Sequence, residues 1–164
     1  MTRDPRPATS SIVPFHPELA PAFTELNRAW IERLFVLEEA DWKVLRDPEE
    51  SIIRPGGQIF FAMDGAQAVG TAAAIRVSAQ AFELGKMAVS PSCQGRGLGE
   101  RLGRAVIDYA RSAGAETIYL ETNSRLANAI RLYQRLGFRK AGFPVQSDYA
   151  RADVYMELRL RAEG

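Results

Sequence analysis

The chain has 164 residues, of which 46% are hydrophobic and 25% charged, and its 21 basic and 20 acidic side chains nearly cancel. This length and balance are typical of one soluble globular domain that needs neither a disulfide nor a metal to fold. Because the sequence has no block of Lys or Arg, a nucleic-acid partner is disfavoured. No apolar stretch approaches the roughly 20 residues of a membrane helix, so we expect no membrane insertion.

The first ten residues are rich in Pro, Thr, Ser and Arg, and they predict a flexible arm instead of a signal peptide. We expect residues 11–164 to form a single domain. Cys93 is the only cysteine, so no internal disulfide can form, and we expect a reducing, cytoplasmic location.

Apolar spacing and chain breakers divide the first part of this domain into three elements. A short strand is predicted at 11–15. A helix is predicted at about 18–35, where apolar residues recur every three or four positions. A second helix is predicted at 38–45, and Asp47-Pro48 ends it.

The rest of the chain predicts a strand meander followed by alternating helices and strands. Strands at 58–63 and 68–77 flank Asp64-Gly65, a pair favoured in hairpin turns, and a third strand follows at 82–89. Beyond it, helices are predicted at about 98–113 and 126–136, and strands at 117–122, 138–141 and 154–160. The pattern predicts one α/β domain without internal repeats.

The most informative segment is Gln94-Gly-Arg-Gly-Leu-Gly99, between the third strand of the meander and an amphipathic helix. Glycines let a backbone approach a ligand closely, and the free N–H groups of a helix N-terminus bind anions. The segment therefore predicts a cradle for a phosphate or pyrophosphate, with Arg96 as an additional counter-charge.

Two other phosphate-binding motifs fit this loop poorly. A P-loop ends in Gly-Lys-Ser/Thr, which this sequence lacks. The dinucleotide fingerprint requires G-x-G-x-x-G, whereas the glycines here are Gly95, Gly97, Gly99 and Gly103. A glycine turn that merely begins a helix remains the structural alternative.

Several motifs in order resemble the GNAT superfamily of N-acetyltransferases. The loop matches that family's Q/R-x-x-G-x-G/A signature, and Met87-Ala-Val-Ser-Pro91 before it resembles the fourth strand. Tyr119-Leu-Glu-Thr-Asn123 resembles the fifth strand, and Asn128-Ala-Ile-Arg-Leu-Tyr133 with Leu136-Gly-Phe138 resembles the last conserved helix and the entry into strand six. The strong match covers residues 82–143.

This resemblance implies both a fold and a reaction. The fold is a mixed, mostly antiparallel seven-stranded sheet, splayed between strands 4 and 5, with helices on both faces. The reaction is direct transfer of an acetyl group from acetyl-CoA, used as a cosubstrate, to a primary amine, without a metal or a covalent intermediate.

By the same resemblance, ten residues would bind the cofactor. They are Met87, Val89, Gln94, Gly95, Arg96, Gly97, Leu98, Gly99, Asn123 and Asn128. The backbones of Met87 and Val89 would pair with the pantetheine arm, while their side chains would pack in the core. For Asn123 the alternative is capping of the following helix, and for Asn128 it is an exposed helix position.

The reaction requires a neutral amine, although alkyl amines have pKa values near ~10.4, so a carboxylate that accepts a proton is needed. Glu83 is the first candidate, because strand alternation would place it on the same side as Met87 and Val89. Its position before the loop also resembles that of the glutamate base in the histone-acetylating branch of the family. The alternatives are a solvent-facing or salt-bridged Glu83, and Glu121 as the base.

The leaving thiolate would be protonated by Tyr133, which matches the tyrosine that stands near the cofactor sulfur in the family. The alternative is a core aromatic. Residues that could line the acceptor site are Arg125, Tyr149, Arg151 and Asp153. A small-molecule amine is favoured as acceptor, and the chain is compatible with a homodimer.

Three other functions remain open at this point. They are a protein N-acetyltransferase, a module that senses acyl-CoA without turnover, and a nucleotide oxidoreductase. Two residues predict little chemistry: His16, the only histidine, cannot form a metal cluster alone, and Cys93 predicts a packing residue, with a covalent acyl carrier as the alternative.

Overall fold

The computed structural model describes residues 10–160. Its strands are β1 (Ser11–Pro14), β2 (Gln58–Asp64), β3 (Gln67–Arg76), β4 (Ala81–Val89), β5 (Thr117–Thr122), β6 (Arg139–Ala141) and β7 (Val154–Arg159). Within the described residues these seven strands form one sheet in the order β1-β2-β3-β4-β5-β7-β6, antiparallel throughout except for β4 and β5. The expected mixed, mostly antiparallel sheet is confirmed, while the arm predicted at 1–10 lies, except for Ser10, outside the described residues.

Helices cover both faces of the sheet, as expected. They are α1 (Ala20–Leu34), α2 (Glu39–Leu45), α3 (Leu98–Ser112) and α4 (Ala127–Arg135). Leu102 of α3 and Ile130 of α4 belong to one buried cluster, and Phe23 of α1 and Leu45 of α2 belong to another. The apolar stripes that predicted these helices therefore face the sheet.

The boundaries differ from the prediction mainly at the first helix. A short 3-10 turn over Pro17–Leu19 precedes α1, and the Nδ1 atom of His16 accepts a hydrogen bond from the Glu18 N–H at 3.4 Å. The only histidine is thus an exposed capping residue.

A β-bulge interrupts β4 beside the functional region. Thr71 of β3 lies opposite Ala88, but Ala73 lies opposite Gly85, so β4 contains one extra residue between these pairs. Lys86 lies in this bulge with φ of 50°, and it is the one non-glycine residue with positive φ in the part of the chain that the structure describes. Residues that carry a Cβ atom rarely adopt a positive φ.

The bulge corrects the alternation argument for Glu83. Glu83 lies opposite Ile75, which packs against the cluster that contains α1 and α2. Met87 and Val89, beyond the bulge, pack against the cluster that contains α3 and α4. The prediction that Glu83 shares a face with them is wrong, because an extra residue reverses the alternation.

The sheet is split between β4 and β5. Their parallel pairing covers only Ala81–Glu83 against Thr117–Tyr119. Beyond these residues the two strands diverge, which confirms the expected splay. The edge of β4 from Leu84 to Val89 is therefore left without a strand partner on this side.

Candidate active site

The split in the sheet opens into a cleft of about 240 Å³. One wall is the segment of β4 that runs from Glu83 to Val89, and the end of β5 and the α4 residue Tyr133 form the opposite side. The end of α1 and the segment that contains Tyr149 and Arg151 close one end. Elements from all parts of the sequence thus meet at this gap.

The predicted phosphate loop lies beside the cleft. Gly95 and Gly97 have φ values of 83° and 75°, and a Cβ atom built on either residue would meet nothing within 4 Å. Gly97 is the N-cap of α3, and no side chain of the described residues caps that end. The first N–H groups of a helix without such a cap are available to an anion, and the open space beside both glycines gives an anion access to them.

The other loop residues have more structural roles. A Cβ atom on Gly99 would lie 3.0 Å from Leu132, so this glycine permits close packing of α3 on α4. The Leu98 side chain is buried in the core, which leaves only its backbone for a ligand. Gln94 donates from Nε2 to the carbonyl oxygen of Val89 at 3.3 Å, and Arg96 is exposed.

The two asparagines differ in their surroundings. Asn123 lines the cleft, but its Nδ2 donates to the Arg151 carbonyl at 2.7 Å and its Oδ1 accepts from the Arg125 N–H at 2.9 Å. It does not cap α4, whose N-cap is Leu126, so the capping interpretation is wrong. Asn128 is exposed and accepts a hydrogen bond from Arg131.

Tyr133 lies on the cleft side of α4 and packs edge-on against Phe138, with ring centroids 6.3 Å apart. Burial raises the pKa of its phenol to about 12. The hydroxyl therefore stays protonated at neutral pH and is able to donate a hydrogen bond into the cleft.

Glu83 is the most strongly perturbed acid of the cleft. Burial, followed by the charge of Glu121, raises its pKa to about 7. Its Oε2 accepts a hydrogen bond from the Tyr119 hydroxyl at 3.3 Å. Glu121 instead accepts from the Ser147 hydroxyl at 2.6 Å. A carboxyl group with a pKa near 7 is suited to exchange a proton at neutral pH.

Charged residues beside Glu83 form a group of which the sequence indicated only Arg151. Asp41, which is completely buried, binds Lys86 at 2.7 Å and Arg151 at 2.5 and 2.8 Å. Arg151 also pairs with Glu38 at 3.2 Å. Lys86 gives a weak sequence signal, because it is one of two charged residues, with Glu83, in a largely apolar strand. Asp41 is 45 positions away from it along the chain, and no local pattern connects the two.

Cys93 is 6% exposed and packs in the core, as predicted. Among residues 10–160, no group of three or more His, Cys, Asp and Glu side chains is placed to hold a metal ion. In the same range, no helix is both long enough and apolar enough to cross a membrane.

Fold and site together define a protein that admits an elongated ligand between two diverging strands, with room for an anionic group at a helix N-terminus. Comparison with known proteins identifies the family. A model of the acetyltransferase (GNAT) family matches residues 20–138, and the chain belongs to this family.

Individual relatives agree with this assignment. The chain is 33% identical over 103 residues to N-acetyltransferase family 8 member 2 of Rattus norvegicus, a match that covers 60% of this chain and 46% of the rat protein. The chain thus spans about half the length of that curated relative. A GNAT-family acetyltransferase from Staphylococcus aureus Mu50 has the same fold, with a TM-score of 0.84 and 21% identity over 93% of this chain and 100% of that one. The Salmonella typhimurium protein YncA, solved with its cofactor acetyl-CoA, has a TM-score of 0.73 and 21% identity over 95% of this chain and 96% of its own.

Proposed function

We propose that this protein is an acetyl-CoA-dependent N-acetyltransferase that acetylates the primary amine of a small molecule in a ternary complex, in the cytoplasm. The observation that carries the proposal is Glu83, a carboxyl group in the cleft whose pKa is raised to about 7. A base with this pKa accepts a proton more readily at neutral pH than an ordinary glutamate with a pKa near ~4.3.

The residues around the cleft fit acetyl-CoA, which supplies an activated acetyl thioester when bound. The backbone of Met87 and Val89 faces the gap left by β5 and would pair with the amide-containing pantetheine arm. The N–H groups from Gly95 to Gly99 would bind the pyrophosphate, since both positive-φ glycines leave open space there. Gln94 and Arg96 adjoin these contacts in the sequence, and both of them, with Asn128 of α4, belong to the proposal through family resemblance.

Glu83 and Tyr133 divide the proton transfers. Glu83 takes the proton of the incoming ammonium group, and the free amine then forms the C–N bond while the C–S bond breaks. The protonated Tyr133 hydroxyl gives a hydrogen bond, and finally a proton, to the departing sulfur. The second proton, which the nitrogen loses on becoming an amide, restores the Tyr133 hydroxyl, and Glu83 returns its proton to solvent, so the cycle needs no metal or covalent enzyme intermediate.

A small acceptor suits the enclosed end of the cleft. Trp30 and Phe35 at the end of α1, and Tyr149 across from them, line that end. The carboxyl groups of Glu83 and Glu121 also line the cleft, and their negative charge attracts an ammonium group.

The test is a panel of small amines and short peptides, with release of the CoA thiol and the mass of the product as readouts. We expect amine-dependent thiol release and a singly acetylated product with at least one small amine. Turnover with peptides alone would contradict the small-molecule acceptor and favour a protein N-acetyltransferase. Tight acetyl-CoA binding without turnover for any amine would contradict the catalytic proposal and favour a sensing module.

A further inference from the structure

One buried ion cluster connects the two ends of the cleft. We define the Asp41 cluster as Asp41 with its partners Glu38, Lys86, Tyr149 and Arg151. Asp41 is 0% exposed, and the side chains of Lys86 and Arg151 are 6% and 14% exposed. Burial alone would raise the pKa of Asp41, but hydrogen bonds from Arg151 and Lys86 outweigh it and lower the pKa to about 2. The carboxylate therefore stays charged and paired throughout the neutral range.

The two cations held by Asp41 belong to different walls. Lys86 lies in the β4 bulge, on the strand edge that faces the cofactor side of the cleft. Arg151 lies between β6 and β7, on the segment that closes the other end. Both cations also lie over the ring of Tyr149, at 4.5 and 4.8 Å from its centroid, and the Lys86 Nζ donates to the Tyr149 hydroxyl at 3.1 Å.

The backbone at Lys86 needs such a restraint. A φ of 50° is unfavourable for any residue with a Cβ, and it persists only when the surroundings fix it. The only polar partners of the ammonium group among the described residues are in the Asp41 cluster. The ion pair with Asp41 is therefore placed to hold the bulge in this conformation.

We propose that Asp41 is a positioning residue: through Lys86 it fixes the β4 bulge that faces acetyl-CoA, and through Arg151 it fixes the segment that closes on the acceptor. This proposal rests on the proposed acetyltransferase function. It predicts that loss of Lys86 impairs acetyl-CoA binding and that loss of Arg151 impairs acceptor binding. An ion pair that only stabilises the fold would not produce these separate effects.

The Lys86 arm is tested with two substitutions that both remove the charge. Lys86→Met keeps a side chain of similar volume, but residue 86 must then hold its positive φ without the ion pair to Asp41. Lys86→Gly removes the side chain, but glycine adopts positive φ freely and retains the bulge. For Lys86→Met we expect a loss of about 10²-fold in kcat/KM, the effect typical of a misplacement of about 1 Å, and about 10-fold weaker acetyl-CoA binding by calorimetry. Lys86→Gly should recover most of both losses.

For the Arg151 arm we expect an effect on the acceptor and none on the cofactor. Arg151→Met should raise the acceptor KM about 10-fold and leave acetyl-CoA affinity unchanged, because among the described residues the guanidinium contacts only Glu38, Asp41 and the rings of Phe35 and Tyr149, at the acceptor end. Arg111→Met is the matched control, because Arg111 forms an exposed pair with Asp108 at 3.4 Å at the far end of α3. The control should match the parent protein in both measurements.

Three results would overturn the positioning role. They are parent-like behaviour of Lys86→Met, a Lys86→Gly variant as impaired as Lys86→Met, or an Arg151→Met variant that loses acetyl-CoA affinity with an unchanged acceptor KM. Melting temperatures of all variants separate these outcomes from unfolding. Acetyl-CoA affinity is measured without turnover, so a parent protein that acetylates no amine would refute the proposed function while the Lys86 comparison still tests the restraint on the bulge.

Discussion

The two halves of the cleft are built in different ways. The proposed cofactor half consists mainly of backbone groups from one continuous segment, which runs from the β4 edge through Gln94 to the first turn of α3. The proposed acceptor half consists of charged and aromatic side chains from α1, α2, β4, β5 and the segment before β7. Its central pair, Asp41 and Arg151, is separated by 110 positions in the sequence.

This difference separates what is general in the fold from what is particular to this chain. Backbone groups at a glycine-lined helix terminus recognise a phosphate irrespective of most side chains. In the proposed function, side chains from distant elements select the amine and accept its proton. The following experiments test whether the two halves act separately, beginning with the largest expected effect.

The acceptor half should fail most when its base is removed. Glu83→Gln should lower kcat/KM by about 10³-fold near pH 7, since general bases contribute about 10² to 10⁴. The parent profile should rise with pH through a step near pH 7, where Glu83 ionises. The variant should lack this step, and its deficit should shrink as the pH approaches the amine pKa near ~10.4.

The control for this experiment is Glu121→Gln, which removes the neighbouring carboxylate. It should retain most of the activity, and it should lower the pH of the step, because the charge of Glu121 raises the pKa of Glu83. A larger loss in Glu121→Gln than in Glu83→Gln would move the base to Glu121. A constant deficit of Glu83→Gln at every pH would instead give Glu83 a positioning role.

The cofactor half should fail when a side chain enters the cradle. Gly97→Val should weaken acetyl-CoA binding several hundred-fold, as expected for the loss of about two charged hydrogen bonds of about 1.5–3 kcal/mol each. Gly65→Val is the matched control, because Gly65 also has positive φ, 62°, and open space around it, but lies in the β2–β3 turn. Both variants should lose similar stability, and calorimetry should find weaker binding only in Gly97→Val. Equal affinity in both would remove the loop from the binding site.

Tyr133 lies between the two halves of the cleft, so removal of its hydroxyl tests whether catalysis and cofactor binding can be affected separately. Tyr133→Phe keeps the ring contact with Phe138 but removes the hydroxyl. We expect kcat to fall about 10²-fold with acetyl-CoA affinity unchanged, because the hydroxyl acts only when sulfur departs. Weaker binding with kcat intact would indicate that the tyrosine only shapes the pocket.

The smallest expected effect is on stability. The pKa of Glu83 is raised in the folded protein from 4.5 to about 7, so the folded state binds its proton more tightly than the unfolded state does. The resulting stabilisation is complete below pH 4.5 and is lost as the pH rises through about 7. Glu83→Gln should therefore melt a few degrees above the parent at pH 8, and this advantage should disappear toward pH 4.5. An advantage that is constant over this range would show that burial of Glu83 is not the cause.

The sequence by itself determined most of the elements and the family. Apolar residues at helical spacing predicted α1, α3 and α4 to within a few residues, and Asp64-Gly65 predicted the β2–β3 hairpin. The loop that we propose to bind the pyrophosphate stood out because its glycines, the preceding strand and the following helix are contiguous in the sequence and resemble the motifs of the GNAT family. Local information is sufficient where a site is made from neighbouring backbone groups.

Only the tertiary structure decided the acceptor half. Period-two alternation placed Glu83 beside Met87 and Val89, but the bulge at Lys86 moved it to the other face of the sheet. No spacing predicted that Asp41 would hold Lys86 and Arg151, because these residues are adjacent only after α2, β4 and the segment before β7 have packed together. A buried charge must find its partners in three dimensions, and the proton affinity of Glu83 follows from that packing and from no local pattern.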